Sequence, residues 1–113
     1  MRSLFIALII SVTFSSIVFA HVRLVYSSPA QGEILDKPPE KIELVLSEQA
    51  KITSIEIVKS SGEKFSTSSL PKELVEEVSL TVPELASGSY VINWRGASKD
   101  MHAMSGKIEF IIK

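Results

Sequence analysis

Residues 85–95, Leu-Ala-Ser-Gly-Ser-Tyr-Val-Ile-Asn-Trp-Arg, decide the fold. Residues 89–95 are rich in β-branched and aromatic side chains, which predicts a strand. The pattern Leu85-x-x-Gly88-x-Tyr90 has the spacing of a tyrosine corner, where a phenol bonds to the backbone as the chain crosses between two sheets. Tyr90 and Trp94 are therefore interpreted as core residues of an all-β domain.

Further short strands are predicted on both sides of this stretch. In residues 41–48, Ile42, Leu44 and Leu46 alternate with more polar positions, which is the period of a half-buried strand. Residues 71–77 are ambiguous between a turn of helix and an irregular connection. The remaining predicted strands are residues 21–26, 52–58, 64–66, 78–82 and 107–112. About seven strands with turn residues between them predict one small β-sandwich or barrel of immunoglobulin-like type.

The first twenty residues have the features of a secretory signal peptide. Arg2 supplies the positive charge, residues 4–18 are mostly apolar, and Ala20 ends a triplet of the kind that a signal peptidase cleaves. The alternative is a retained membrane anchor, but the apolar stretch is short for a span of about 20 residues. We therefore predict two regions, a cleaved signal at 1–20 and a domain at 21–113, and an exported protein with no stable membrane span after cleavage.

Charge and composition exclude several classes of partner and ligand. Without Arg2 the chain has 11 basic and 13 acidic residues, a net charge of −2. It has no basic patch of the kind that nucleic-acid binding needs. Because the sequence contains no cysteine, the core must be stable without disulfides. For the same reason no thiolate can be a ligand of a metal site.

Both histidines of the sequence are interpreted as metal ligands. His21 would become the first residue after cleavage and offer its amine and its imidazole to one ion. Asp100 and His102 are two positions apart, so in an extended segment their side chains would lie on the same side. Three nitrogens and one oxygen form a donor set that Cu(II) favours. The alternative interpretation is that each histidine is an ordinary surface residue.

Two methionines flank His102. Thioethers prefer Cu(I), so one interpretation of Met101 and Met104 is a soft metal contact. The favoured interpretation is that Met101 is a loop residue and that Met104 packs on the end of the sandwich.

Together these segments resemble the CopC family of periplasmic copper-resistance proteins. The resemblance covers essentially the whole chain after residue 20. It is carried by His21-x-x-Leu24-x-x-Ser27-Ser28-Pro29-x-x-Gly32, Ile42-x-Leu44-x-Leu46-Ser47-Glu48, Gly88-x-Tyr90-x-x-x-Trp94-Arg95 and Ser98-x-Asp100-x-His102-x-x-x-Gly106-x-Ile108-x-Phe110.

The resemblance implies a Greek-key β-barrel or sandwich and a non-enzymatic copper carrier or buffer of the periplasm. It implies Cu(II) ligands at His21, Asp100 and His102, with Glu48 near the ion. Residues 52–69 contain no Met and no His, unlike members with a methionine-rich Cu(I) loop, which favours Cu(II) alone. Met101 stands where the family usually has a small residue or glycine. Some members are fused to a membrane importer domain, so a CopD-like transporter is expected here as a separate partner.

Two other functions compete with a copper carrier. An N-terminal histidine with a second histidine also resembles the histidine brace of lytic polysaccharide monooxygenases, although Asp100 would occupy a position that oxygen chemistry needs open. A metal-free immunoglobulin-like structural module is the other alternative.

Overall fold

The computed structural model describes residues 22–113, which form seven strands and no helix. No segment of this part of the chain is therefore a helix able to cross a membrane. The strands are β1 Leu24–Ser28, β2 Glu33–Leu35, β3 Lys41–Lys59, β4 Lys64–Ser66, β5 Val75–Thr81, β6 Gly88–Ser98 and β7 Ala103–Ile112. The predicted all-β class and the predicted number of strands are confirmed.

The long strand β3 organises the whole domain. Its first part pairs with β1 on one edge and with β5 on the other, and its second part pairs with β6 and β4. β7 pairs antiparallel with β6, and β2 pairs parallel with β7, so the path through the sheet is β1-β3-β6-β7-β2. Because β3 has different partners along its length, the sheet curls around a single interior.

The sequence predicted two separate strands, at 41–48 and 52–58, where the structure has the single strand β3. The prediction of a break was wrong because residues 48–51 contain no Gly or Pro to make a turn. The irregularity takes the form of register shifts instead, between Val45 and Ala50 against β5 and between Ile52 and Ser54 against β6. Such bulges bend a strand without ending it.

Alternating side chains from the strands fill one core. Ile42, Leu44 and Leu46 are all buried, as their spacing predicts. The residues with no more than 8% of their surface exposed are all apolar or aromatic within the described range. Fully burying a side chain such as Leu or Ile contributes about 1.5–3 kcal/mol. A core of this kind explains how the domain holds together with no disulfide.

The tyrosine corner predicted at Tyr90 is confirmed. The Tyr90 hydroxyl donates a hydrogen bond of 2.6 Å to the carbonyl oxygen of Ala86, four residues upstream. The ring stacks on Phe110 with 5.3 Å between the ring centroids. Burial and, to a lesser degree, the negative charge of Glu63 raise the pKa of Tyr90 above its ordinary value of about 10. The phenol therefore stays a hydrogen-bond donor across the neutral range.

Three local features differ from the sequence prediction. Residues 71–74 form a bend and no helical turn, and β5 begins at Val75. β2 was not predicted because it has only three residues and pairs with a strand distant in sequence. β7 begins at Ala103, four residues before the predicted start at Lys107, because the antiparallel pairing with β6 continues up to the loop.

Candidate metal centre

Asp100 and His102 lie in the loop that joins β6 to β7. Ser98 ends β6 and Ala103 begins β7, and the last pair of the ladder is Ala97 with Ala103. The backbone N–H of Met101 donates to the carbonyl of Ser98 over 2.9 Å, and the N–H of Ser98 donates to the carbonyl of His102 over 2.9 Å. These bonds close a tight hairpin.

Met101 has a positive φ of 66°, in the left-handed region. A turn followed by a left-handed residue is a common three-residue hairpin connection, and that position ordinarily takes glycine. The left-handed backbone explains why the family resemblance predicts glycine or another small residue at position 101. The Met101 side chain is 84% exposed, so packing does not explain the departure.

The extended backbone assumed between Asp100 and His102 is not what the structure has. Lys99 and Asp100 occupy the turn and Met101 is left-handed, so the rule that alternate residues of a strand share a side does not apply here. Both side chains are exposed at the tip of one hairpin. The tight turn, rather than strand alternation, keeps the two residues close together.

The two methionines differ in their surroundings. Met104 is half-buried and packs against the core, which confirms its interpretation as a packing residue. Met101 belongs to the exposed loop, as the favoured interpretation predicted.

Glu48 lies near the same end of the domain as this loop. It is exposed on β3, two residues before Ala50, and Ala50 pairs directly with Ser98. Since a strand advances about 3.4 Å per residue, Glu48 is about 7 Å along β3 from the position opposite Ser98.

The beginning of the described chain lies along the same segment of β3. Leu24 pairs with Leu46, and the N–H of Ser47 donates to the carbonyl of Arg23 over 2.8 Å. Because β1 and β3 are antiparallel, the chain continues from Arg23 to Val22 in the direction of Glu48. Val22 packs partly against the core. His21, the next residue along the chain, lies outside the described residues.

Within residues 22–113, no group of three or more acidic or histidine side chains is placed to hold a metal ion. The described part of the chain thus brings Asp100 and His102 into one loop and leaves Glu48 on the adjoining strand. A complete ligand set of the predicted kind requires a contribution from His21.

Two serines beside the predicted ligands were not assigned a role from the sequence. The hydroxyl oxygen of Ser98 accepts a 3.1 Å hydrogen bond from the N–H of His102. The hydroxyl oxygen of Ser47 accepts a 2.8 Å hydrogen bond from the N–H of Arg23. For Ser98 a signal was present, because serine is favoured at the first position of such turns.

Comparison with known proteins connects this geometry to a family. The chain matches the family model described as the CopC domain over residues 24–113. Copper resistance protein C of Pseudomonas syringae pv. tomato is 30% identical over 115 residues, which cover 88% of this chain and 86% of that protein.

Solved structures agree with this match. The crystal structure of CopC from Methylosinus trichosporium OB3b is 32% identical, with a TM-score of 0.72, over 82% of this chain and 94% of that chain. The structure of selenomethionine PcoC, a copper resistance protein from Escherichia coli, is 24% identical with a TM-score of 0.66. It covers 80% of this chain and 99% of its own, and at that identity it shows a likeness of fold alone. The family match and the named relatives support a copper-related function, and the chain belongs to the CopC family.

Proposed function

We propose that this chain is an exported copper carrier or buffer that binds one Cu(II) per molecule. The ligands are the amine and imidazole of His21, the carboxylate of Asp100 and the imidazole of His102, with the carboxylate of Glu48 near the ion. Cleavage after Ala20 creates the amine ligand, and the protein acts in the periplasm or its equivalent. Its role in copper resistance or homeostasis is inferred from its similarity to copper resistance protein C of Pseudomonas syringae pv. tomato.

One observation supports this proposal more than any other. The segment of β3 from Ser47 to Ala50 is bonded to Arg23 through Ser47 and pairs with Ser98 through Ala50. Arg23, next to Val22 at the start of the described chain, and the loop that contains His102 are therefore attached to the same four-residue segment. Histidines at opposite ends of the mature sequence can therefore reach one ion at this place. Few residues need to lose conformational freedom when they do so.

The chemistry of the donors favours copper in its oxidised state. Nitrogen and oxygen ligands in a tetragonal arrangement suit Cu(II), which also binds such sites more tightly than the other divalent metals of its row. The single exposed thioether of Met101 falls short of the clustered sulfur ligands that a dedicated Cu(I) site uses.

A site at one exposed end of the domain also suits transfer. Asp100 and His102 are both exposed, so an acceptor can approach the ion without unfolding any strand. We propose that the acceptor is a separate membrane copper transporter of CopD-like type, and that the chain binds copper without catalysing a reaction. Oxygen consumption with ascorbate and the copper-loaded protein should accordingly not exceed the rate that the same amount of free Cu(II) gives by itself, whereas sustained oxidase turnover above that rate would favour a histidine-brace enzyme.

The direct experiment is a Cu(II) titration of the chain beginning at His21. The variants are Asp100→Ala and His102→Ala, with Asp36→Ala as the matched control. Asp36 is an exposed aspartate that pairs with Lys113 over 3.5 Å at the opposite end of the domain. Removing a direct ligand should cost at least the 10–100-fold in affinity that is typical for residues around a metal site. Wild-type affinity in both ligand variants, or equal losses in all three, would contradict the proposal.

A further inference from the structure

We propose that Ser47 and Ser98 are positioning residues of the copper site. Their hydroxyls fix the two backbone segments that hold the histidine ligands, and neither hydroxyl binds the metal. This inference rests on the proposed function, because it assigns a role to residues that act through His21 and His102.

Ser98 closes the ligand loop with three hydrogen bonds. Two are made by its backbone, to Met101 and to His102, each 2.9 Å long. The third is accepted by its side chain from the N–H of His102 over 3.1 Å. The backbone bonds are sufficient to form the hairpin, so the hydroxyl bond specifically restrains the main chain of the residue that supplies the imidazole.

Ser47 acts in the same way on the segment that leads to His21. In a regular antiparallel ladder, the two residues of a hydrogen-bonded pair exchange both of their backbone hydrogen bonds. Ser47 donates its N–H to the carbonyl of Arg23, but the N–H of Arg23 is bonded to the Ser47 hydroxyl, and both distances are 2.8 Å. The side chain takes the place of a main-chain carbonyl.

The hydrogen bond to the Ser47 hydroxyl lies next to the register shift of the β1–β3 ladder. The shift lies between Leu24 and Tyr26, so regular pairing is interrupted two residues from Arg23. Without the hydroxyl of Ser47, only one hydrogen bond would join Arg23 to β3. One of the two hydrogen bonds that attach Arg23, next to Val22, to β3 therefore depends on a side chain.

Both hydroxyl bonds lie in exposed surroundings, where water can replace a lost partner. Their removal should change the melting temperature of the metal-free domain little, as is usual for a surface substitution. The affinity for Cu(II) should be more sensitive than stability to the loss of either hydroxyl. Groups that orient metal ligands typically change affinity by 10–100-fold when they are removed.

The test compares Ser47→Ala and Ser98→Ala with Ser105→Ala in the chain beginning at His21. Ser105 is an exposed serine on β7, opposite Arg95 and outside the loop. The probe is Cu(II) alone, followed by competition titration and by the electron paramagnetic resonance spectrum of the bound ion. We expect about a tenfold loss of affinity and an altered or heterogeneous spectrum in the two site variants, with wild-type behaviour in Ser105→Ala.

Ser47→Thr and Ser98→Thr are the rescue variants, because threonine keeps the hydroxyl. They should bind within about twofold of wild type, and all metal-free variants should melt within a few degrees of it. Wild-type affinity and spectrum in both alanine variants would overturn the inference. Unfolding of either alanine variant would also overturn it, because the hydroxyl would then be a structural requirement.

The failure of this inference can be told apart from failure of the proposed function. If His102→Ala loses Cu(II) affinity and the serine variants do not, only the positioning role is wrong. If His102→Ala binds like wild type, the ligand assignment itself is wrong.

Discussion

Arg23 and Ser47 are joined by two hydrogen bonds of 2.8 Å, one between their backbones and one from the Arg23 N–H to the serine hydroxyl. Three residues further along β3, Ala50 pairs with Ser98, where the ligand loop begins. A single short segment of one strand therefore adjoins both the first described residues and the loop that contains His102. This arrangement, rather than any local motif, is the structural basis of the proposed metal site.

Met101→Gly should stabilise the domain by about 1 kcal/mol. A left-handed conformation costs a residue with a side chain roughly 1–2 kcal/mol, and glycine avoids that cost. Denaturant unfolding of the metal-free chain measures the effect. Lys99→Gly is the matched control, because Lys99 is an exposed turn residue outside the left-handed region, where glycine should destabilise. A loss of stability in Met101→Gly would contradict the strain at this position.

Gly106→Ala should destabilise the domain by about 1–3 kcal/mol, the usual cost of overpacking. A Cβ at position 106 would lie 2.5 Å from the indole nitrogen of Trp94, whose side chain is buried in the core. Since Trp94 is the only tryptophan, its fluorescence reports the displacement directly. Ser105→Ala, one residue away and exposed, should stay within about 0.5 kcal/mol of wild type. An unchanged emission maximum together with unchanged stability would show that the indole does not occupy this place.

Tyr90→Phe should weaken the domain by about 1 kcal/mol at neutral pH, through loss of the hydrogen bond to Ala86. It should also remove one source of alkaline unfolding. The folded pKa of Tyr90 is raised, so its contribution is present below pH about 10 and is lost as the pH rises through the folded pKa. Stability measured between pH 8 and pH 11 should fall more steeply in wild type than in Tyr90→Phe. Parallel curves would exclude a raised Tyr90 pKa.

Glu48→Gln should lower Cu(II) affinity by about fivefold or less, because a carboxylate near the ion contributes about 1 kcal/mol when water surrounds the pair. The effect should shrink as salt is added. Glu109→Gln is the control, since Glu109 is exposed on β7 opposite Val91, away from the loop. A loss as large as that of Asp100→Ala would make Glu48 a direct ligand, and no loss at any salt concentration would remove it from the site.

Much of the fold could be predicted from the sequence because its signals are local. The alternation at Ile42, Leu44 and Leu46 and the spacing before Tyr90 both correspond to contacts that the structure contains. The continuity of β3 had one local signal, the absence of Gly and Pro from residues 48–51. The parallel pairing of β2 with β7 had none, because it depends on a partner far away in sequence.

The sequence predicted that Asp100 and His102 lie close together, but it did not predict the geometry of the loop that contains them. Asp100 and His102 share a loop, as their spacing suggested, but a left-handed Met101 lies between them where an extended chain was assumed. The hydroxyl bond of Ser47 has no distinctive sequence pattern, and the preference of serine for the first position of a turn, which applies to Ser98, does not show which backbone group the hydroxyl bonds. Both bonds become visible only when the backbone partners are known.

In the proposed site, signal cleavage supplies the half of the ligands that begins with the free amine of His21. Cu(II) titration of two chains tests this role, one beginning at His21 with a free amine and one in which the same amine is acetylated. An amide in place of the amine is a poor ligand, so we expect one tightly bound Cu(II) for the first chain. For the acetylated chain we expect at least tenfold weaker binding and a different electron paramagnetic resonance spectrum. Equal affinities and identical spectra in the two chains would show that the amine is not a ligand.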